Sequence, residues 1–338
     1  MSAAKTGISS CCSPERQDTD KGAQSVDEGC QDPVRASDSL TTLISAATVA
    51  PKSIAIPGGK ALIGTDDAQI PFDEEGPMRQ TSLRPFWMDA HVVSNARFAA
   101  FIADTGYQTE AEQLGDSFVF HNFLPDGGAK FQSVAAAPWW RMVQGANWQR
   151  PLGFGMDAAP EPDYPAVHLS WNDAQAFAAW AGGRLPSEAE WEHAARGGHG
   201  NITFPWGDKT PNETDFFPCN IWQGEFPNRN DARDGYNGAA PVDAFQPNGF
   251  GLYNMCGNVW EWTSQPFKIR SLRKDVKRAH EGKSGFKIVK GGSFLCHISY
   301  CYRYRIAART GNSPDSSTSH TGFRLVYDKD PQLGLAAQ

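Results

Sequence analysis

Two cysteines, Cys296 and Cys301, stand five residues apart in KGGSFLCHISYCYRYRIAAR. Thiols at that spacing act together only if the chain folds back between them. On a strand they would face opposite sides, and on a helix they would sit about 140° apart. A turn or bulge in HISY would bring them together. Two convergent thiolates make a soft, nearly linear site of the kind Cu(I) favours over hard ions. Zinc would want four ligands, and neighbouring His297 is sterically awkward as a third. A disulfide is the other route. Spacing alone fits incidental cysteines best, a redox pair next and a metal pair third. Arg303, Arg305 and Arg309 follow the pair, and close to the sulfurs they would lower thiol pKa values and favour reactive thiolates.

Two further segments carry oxygen donors. QPNGFGLYNMCGNVWEWTS holds Asn254 and Glu261 among the turn-permitting Gly249, Gly251 and Gly257. NIWQGEFPNRNDARDGY sets Asn220 and Asp234 across a loop. Oxygen-rich loops with one carboxylate suit Ca²⁺, although Asn and Gly in turns ordinarily serve backbone conformation. EF-hand spacing is absent from both. No Ser-His-Asp order, P-loop or dinucleotide fingerprint occurs, and PGGKALIG and GGHGN lack the strand–turn–helix context. His91, His168 and His193 are isolated and read as packed or solvated.

The elements that must position these residues are short. KSIAIPGGKALIG suits a strand, a turn and a second strand, and FWMDAHVV a further strand. Ser94 caps a helix over NARFAAFIADTG, with Phe98, Phe101 and Ile102 on one face and Gly106 as its stop. Residues 107–165 show no sustained period and read as a long excursion carrying Trp139, Trp140 and Trp148. Asn172 or Ser170 opens a second helix through Ala181. Ser187 and Glu190 form the capping box of a third, EAEWEHAAR. Short segments broken by Gly, Pro and Asn follow, so the coarse class is α+β with a minority of regular structure. The basic run in residues 271–285 reads as a solvated loop rather than a nucleic-acid patch.

Among the 338 residues are 31 Lys and Arg against 38 Asp and Glu, a net charge of −7. That balance argues against binding nucleic acid mainly through phosphates. No stretch approaches the roughly 20 apolar residues that span a bilayer. Residues 1–50 contain no aromatic residue, and the first is Phe72; the segment cannot bury enough apolar surface to offset its ordering entropy. It reads as a disordered, mobile tail in which Cys11 and Cys12 are exposed thiols, or a soft-metal or redox handle. Residues 51–332 read as one domain. Seven cysteines make a poor disulfide framework. The polar N-terminus lacks a secretory signal, so a cytoplasmic location with reduced thiols is expected.

Larger blocks add what spacing cannot. TGYQTEAEQLGDSFVF, AAAPWWRMVQGANW, ANWQRPLG, LPSEAEWEHAARGG, NIWQGEFP, PNGFGLYNMCGNVWEWTS, KGGSFLCHISYCYRYR and PDSSTSHTGFR together resemble the formylglycine-generating enzymes, the sulfatase-modifying factor family, from about Lys52 to Asp330. The resemblance implies a single compact domain, distantly similar to C-type lectins. It implies an oxidase that uses O₂ to convert the cysteine of a Cys-x-Pro-x-Arg motif, in an unfolded sulfatase segment, to Cα-formylglycine. Cys296 and Cys301 would hold Cu(I), and the client thiolate would join them. Ser293 and Trp260 match residues lining the family's site, Tyr300 lies beside the pair, and Asp116 matches an acid that receives the client's Arg. That acid's family partner, a Glu, is replaced by Val92. Two structural calcium ions are implied, one at Asn220, Ile221, Asp234 and Tyr236, the other at Asn254, Gly257, Val259 and Glu261. Ile221, Tyr236, Gly257 and Val259 could give only main-chain carbonyls. Luminal members carry two disulfides at positions that here are Ala178, Ala195, Ile306 and Leu325. A monomer is expected, with no nucleic acid or membrane as partner. A non-catalytic calcium-dependent binding module on the same fold is the alternative. An iron enzyme of the ergothioneine type would need a histidine triad on a helical bundle, for which the chain has no room.

Overall fold

A hydroxyl that accepts from first-turn N–H groups sets where a helix begins, and four helices here begin on one. The computed structural model describes residues 14, 52–156 and 159–332. In it Ser94 caps α1 (Asn95–Thr105), which stops at Gly106 in the left-handed region at φ 65°. Thr109 and Glu112 form the capping box of α2 (Glu110–Leu114). Ser170 and Asp173 form that of α3 (Trp171–Trp180), and Ser187 and Glu190 that of α4 (Glu188–Ala195). The apolar faces of α1 and α3 meet in the main core. There the Phe98 and Phe177 rings lie 5.8 Å apart, and Trp148 meets Phe98 at 5.2 Å.

The strands form small separate sheets. β1 (Ser53–Ile56), β4 (Phe86–Asp89) and β14 (Val326–Tyr327) make one, in the order β1-β4-β14. β2 (Gly59–Ile63) pairs with β3 (Arg79–Leu83) in another. β5 (Asp116–Phe120), β6 (Gln132–Val134) and β7 (Ala137–Gln144) make a third, with β7 central. β8 (Gly224–Glu225) and β9 (Arg229–Asn230) form a short ladder. A four-stranded sheet runs β12 (Arg309–Asn312), β11 (Lys287–Lys290), β10 (Trp260–Pro266), β13 (Thr321–Gly322). Residues 316–322 tie the third sheet to the last. Phe118 donates to Ser317 O and Ser319 donates to Phe118 O, then Thr321 and Gly322 run parallel to Trp260 and Glu261.

The α+β class and the modest regular content agree with the sequence reading. The two strands of KSIAIPGGKALIG are present as β1 and β2, and they pair with β4 and β3. Two local expectations are corrected. Residues 107–165 are not a structureless excursion, since they hold α2 and the β5–β7–β6 sheet. They showed no period because both faces of β5 are covered, leaving Ser117 to Phe120 all buried. The basic run contains a one-and-a-half-turn helix, α5 (Lys274–Ala279). No described helix is long and apolar enough to cross a membrane. The expected tail, with Cys11 and Cys12, lies outside the described residues apart from Pro14.

Ala178, Ala195, Ile306 and Leu325, the positions of the luminal disulfides, are all buried in the main core. Apolar packing takes the place of a crosslink there.

Candidate active site around two cysteines

The turn that the cysteine spacing requires is present. Cys296 N–H donates to Ser293 O at 2.9 Å, and Cys301 N–H to His297 O at 2.7 Å. Two consecutive turns thus fold HISY back and leave the two Sγ atoms 3.0 Å apart. A disulfide would hold them at about 2.05 Å. Each residue is 1% exposed. The Ser293 N–H points at Cys296 Sγ from 3.4 Å, and Arg303 Nη1 lies 3.7 Å from Cys301 Sγ.

Of the three arginines after the pair, Arg303 is the one placed at a sulfur. Buried guanidinium groups need counter-charges, and an acidic strap supplies two of them. Arg303 Nη2 donates to Asp73 Oδ1 at 3.1 Å, and Arg305 Nη1 to Glu75 Oε2 at 3.0 Å. Glu74 between them accepts from the N–H groups of Arg270 and Ser271. Arg309 pairs instead with Glu188 at 2.9 Å. The strap therefore anchors the chain that leaves Cys301, and Asp73 shares the positive charge beside it.

Rings gather around Tyr300, the neighbour of Cys301 in the chain. Tyr300 stacks on Phe226 with centroids 4.4 Å apart and meets Trp139 edge-on at 5.0 Å. Trp222 N–H donates to Cys296 O at 3.1 Å. The Tyr300 hydroxyl and the indole N–H groups of Trp222 and Trp260 are buried without hydrogen-bond partners. Orphaned donors of this kind cost stability where they are not functional. Ser293 Oγ accepts from Leu295 N–H at 3.3 Å and lies 3.5 Å from His320 Nδ1. The His320 ring in turn stands edge-on to Trp140.

Asp116 opens β5, whose Phe118 bonds the backbone of Ser317 and Ser319. Its neighbour Ser117 has its hydroxyl 2.8 Å from that of Ser317 and 2.8 Å from His168 Nδ1. His168 is buried and its pKa is pushed down to about 3 by that burial, so it packs as a neutral ring. Val92 is buried too, at 4% exposure, so that position brings no second carboxylate to Asp116. Cys219 and Cys256 are free and buried, and burial pushes both thiols up. They pack as neutral groups and are inert.

The residues fit a soft monovalent metal by donor chemistry. Two sulfurs converge in a buried pocket, and among the described residues no cluster of three or more His, Cys, Asp or Glu forms. His297 turns away to Glu213, 2.9 Å from its Nε2. The first calcium set also fits. Asn220 Oδ1 is buried with no hydrogen-bond partner. Asp234 accepts from the Ile221 and Tyr236 N–H groups, and burial still raises its pKa. A cation there would satisfy both groups. The second set fits in part. Asn254 Oδ1 is likewise orphaned, but the Glu261 carboxylate is committed elsewhere. Its Oε1 accepts from Arg324 Nη2 at 2.7 Å, and its Oε2 from Arg324 Nε and Trp191 Nε1 at 2.8 Å each. Glu261 therefore does not offer the carboxylate that the loop composition suggested.

Sequence reasoning did not single out His320, Ser316, Ser317 or Trp222. Their signal lay in PDSSTSHTGFR and NIWQGEFP, where only the folded chain shows which groups each one meets.

Residues 41–329 match the family model described as Sulfatase-modifying factor enzyme 1-like domain. The chain is 51% identical over 286 residues to the formylglycine-generating enzyme of Bos taurus, covering 84% of this chain and 76% of that protein. It is 50% identical over 290 residues to the enzyme of the same name from Thermomonospora curvata, covering 83% and 94%. Among solved structures, PvdO from Pseudomonas aeruginosa matches with a TM-score of 0.56 at 24% identity, covering 82% of this chain and 95% of that one. This last likeness concerns the fold alone.

Proposed function

The chain belongs to the sulfatase-modifying factor family, and on that premise we propose that it oxidises a cysteine of sulfatases to Cα-formylglycine. The convergence of the Cys296 and Cys301 sulfurs at 3.0 Å carries this reading. The client is a Cys-x-Pro-x-Arg segment and the electron acceptor is O₂. Cu(I) held by the two sulfurs would supply the one-electron chemistry that couples O₂ to the client thiol. The chain's own groups do the rest. The Arg303 guanidinium, beside Cys301, favours negative charge on sulfur. The burial of the pair, at 1% exposure, strengthens every charge interaction inside. The Ser293 N–H directs Cys296 Sγ. Incubation of a Cys-x-Pro-x-Arg peptide with copper-loaded protein and air, followed by mass spectrometry, should show thiol exchanged for aldehyde. A peptide of unchanged mass would remove the proposal.

Asp116 receives the client's Arg. A charge-assisted hydrogen bond is worth about 1.5–3 kcal/mol, so Asp116→Asn should raise KM roughly 10- to 100-fold with kcat little changed. An equal fall in kcat would place Asp116 in the chemistry rather than in binding.

The same reading includes a structural calcium held by Asn220 Oδ1 and Asp234, with carbonyls of Ile221 and Tyr236. An ion at about 100 times its Kd would stabilise the fold by about 2.7 kcal/mol. Thermal melts with and without EGTA should show that gain, and Asp234→Asn should abolish it. Identical melting in both conditions would exclude the ion.

A further inference from the structure

Ahead of Lys52 the described chain includes one residue, Pro14. It is buried, and its carbonyl accepts from Ser316 Oγ at 3.1 Å. Proline has no N–H, so the carbonyl is the polar handle its own backbone unit keeps. Ser316 is itself 0% exposed and belongs to the segment that joins the two halves of the candidate site. Next along is Ser317, tied to Ser117 beside Asp116. At the other end is His320, beside Ser293, whose N–H points at Cys296 Sγ. A residue more than 35 positions before the domain thus bonds the segment that leads at one end to the neighbour of the acid proposed for a client's Arg and at the other to His320 beside Ser293.

The sequence around Pro14 is Cys12-Ser13-Pro14-Glu15-Arg16. It has a cysteine two residues before the proline and an arginine two residues after it, the Cys-x-Pro-x-Arg pattern of the client. Two residues of extended chain reach about 7 Å. Residues 15–51, extended, span more than about 100 Å, so the connection to Lys52 sets no limit. The thiol pair must meet a client yet is 1% exposed. Both observations have one explanation. We propose that the segment Cys12–Arg16 of this chain is a built-in occupant of its own substrate groove, read by the same contacts that read a client and competing with it.

This rests on the substrate reading given above, and it makes a separate claim about this chain. A tethered motif acts at an effective concentration up to the order of millimolar, so a client must displace it. The test uses full-length protein without added metal and a labelled peptide of client pattern with Ser in place of Cys. Fluorescence anisotropy reads its Kd against unmodified chain, Arg16→Ala and Pro14→Ala. Removing the competitor should tighten peptide binding by roughly 3- to 30-fold in Arg16→Ala, with a smaller gain in Pro14→Ala. In turnover of the Cys peptide, Arg16→Ala should lower KM by a similar factor and leave kcat unchanged. Equal Kd for all three proteins would overturn the built-in occupant while leaving the substrate reading intact. Absence of binding to any of them would overturn both.

Discussion

Replacing Cys296 or Cys301 by serine should reduce conversion of a Cys-x-Pro-x-Arg peptide on the order of 10³-fold or more, because residues acting as one unit fail together. The two sulfurs are the convergent soft donors of the pocket, and no third His, Cys, Asp or Glu stands ready to substitute among the described residues. Serine is a hard, neutral donor at neutral pH and does not hold a soft ion. The fold should survive. Burying a hydroxyl in place of a thiol costs about 1–3 kcal/mol, and Ser293 and His320 show that polar groups already lie beside Cys296. Circular dichroism and thermal melting would confirm an intact domain, and a copper titration would show lost uptake. Full turnover by either variant would show that the oxidation does not run through the sulfur pair and would end that reading.

Glu261→Gln should be the most destabilising of the conservative single changes near the site. Arg324 and Glu261 are 0% and 1% exposed at the side chain. The guanidinium makes two bonds to the carboxylate and further ones to the carbonyls of Ala90 and Tyr253. Removing the charge of one partner strands the other in a low-dielectric core, at a cost of about 3–5 kcal/mol. Glu261 follows Trp260 in β10, so this bolt also holds the strand that carries Trp260. Denaturant unfolding should show the midpoint falling without a change in slope. Arg324→Gln added to Glu261→Gln should cost less than the sum of the two. A single-variant loss under about 1 kcal/mol would mean that water or another cation reaches the pair.

Local signals were readable wherever one residue decides one backbone event. The starts at Ser94, Ser170 and Ser187 and the stop at Gly106 follow from a hydroxyl, a carboxylate or a missing Cβ within four residues. The sheet of residues 116–144 was not readable, because a strand buried on both faces has no alternation to see. The acidic strap Asp73–Glu75 was invisible for another reason. Its partners Arg303 and Arg305 lie some 230 residues away, and charge sequence says nothing about which opposite charges will be buried together. Glu261 misled for the same reason. A carboxylate in a Gly- and Asn-rich loop suggests a calcium ligand until Arg324 is seen against it.

By itself the sequence determined that this chain is an acidic α+β protein built from short elements, and that its family signature is centred on Cys296 and Cys301. Residue types and local spacing carry that much, since they limit which ions and which helix ends are possible. Only the tertiary structure decided that two turns bring those sulfurs to 3.0 Å, that one arginine of three sits at a sulfur, and that Pro14 reaches Ser316. Such facts depend on contacts between residues distant in the chain, and these form only when burial forces each charge and hydroxyl to find a partner.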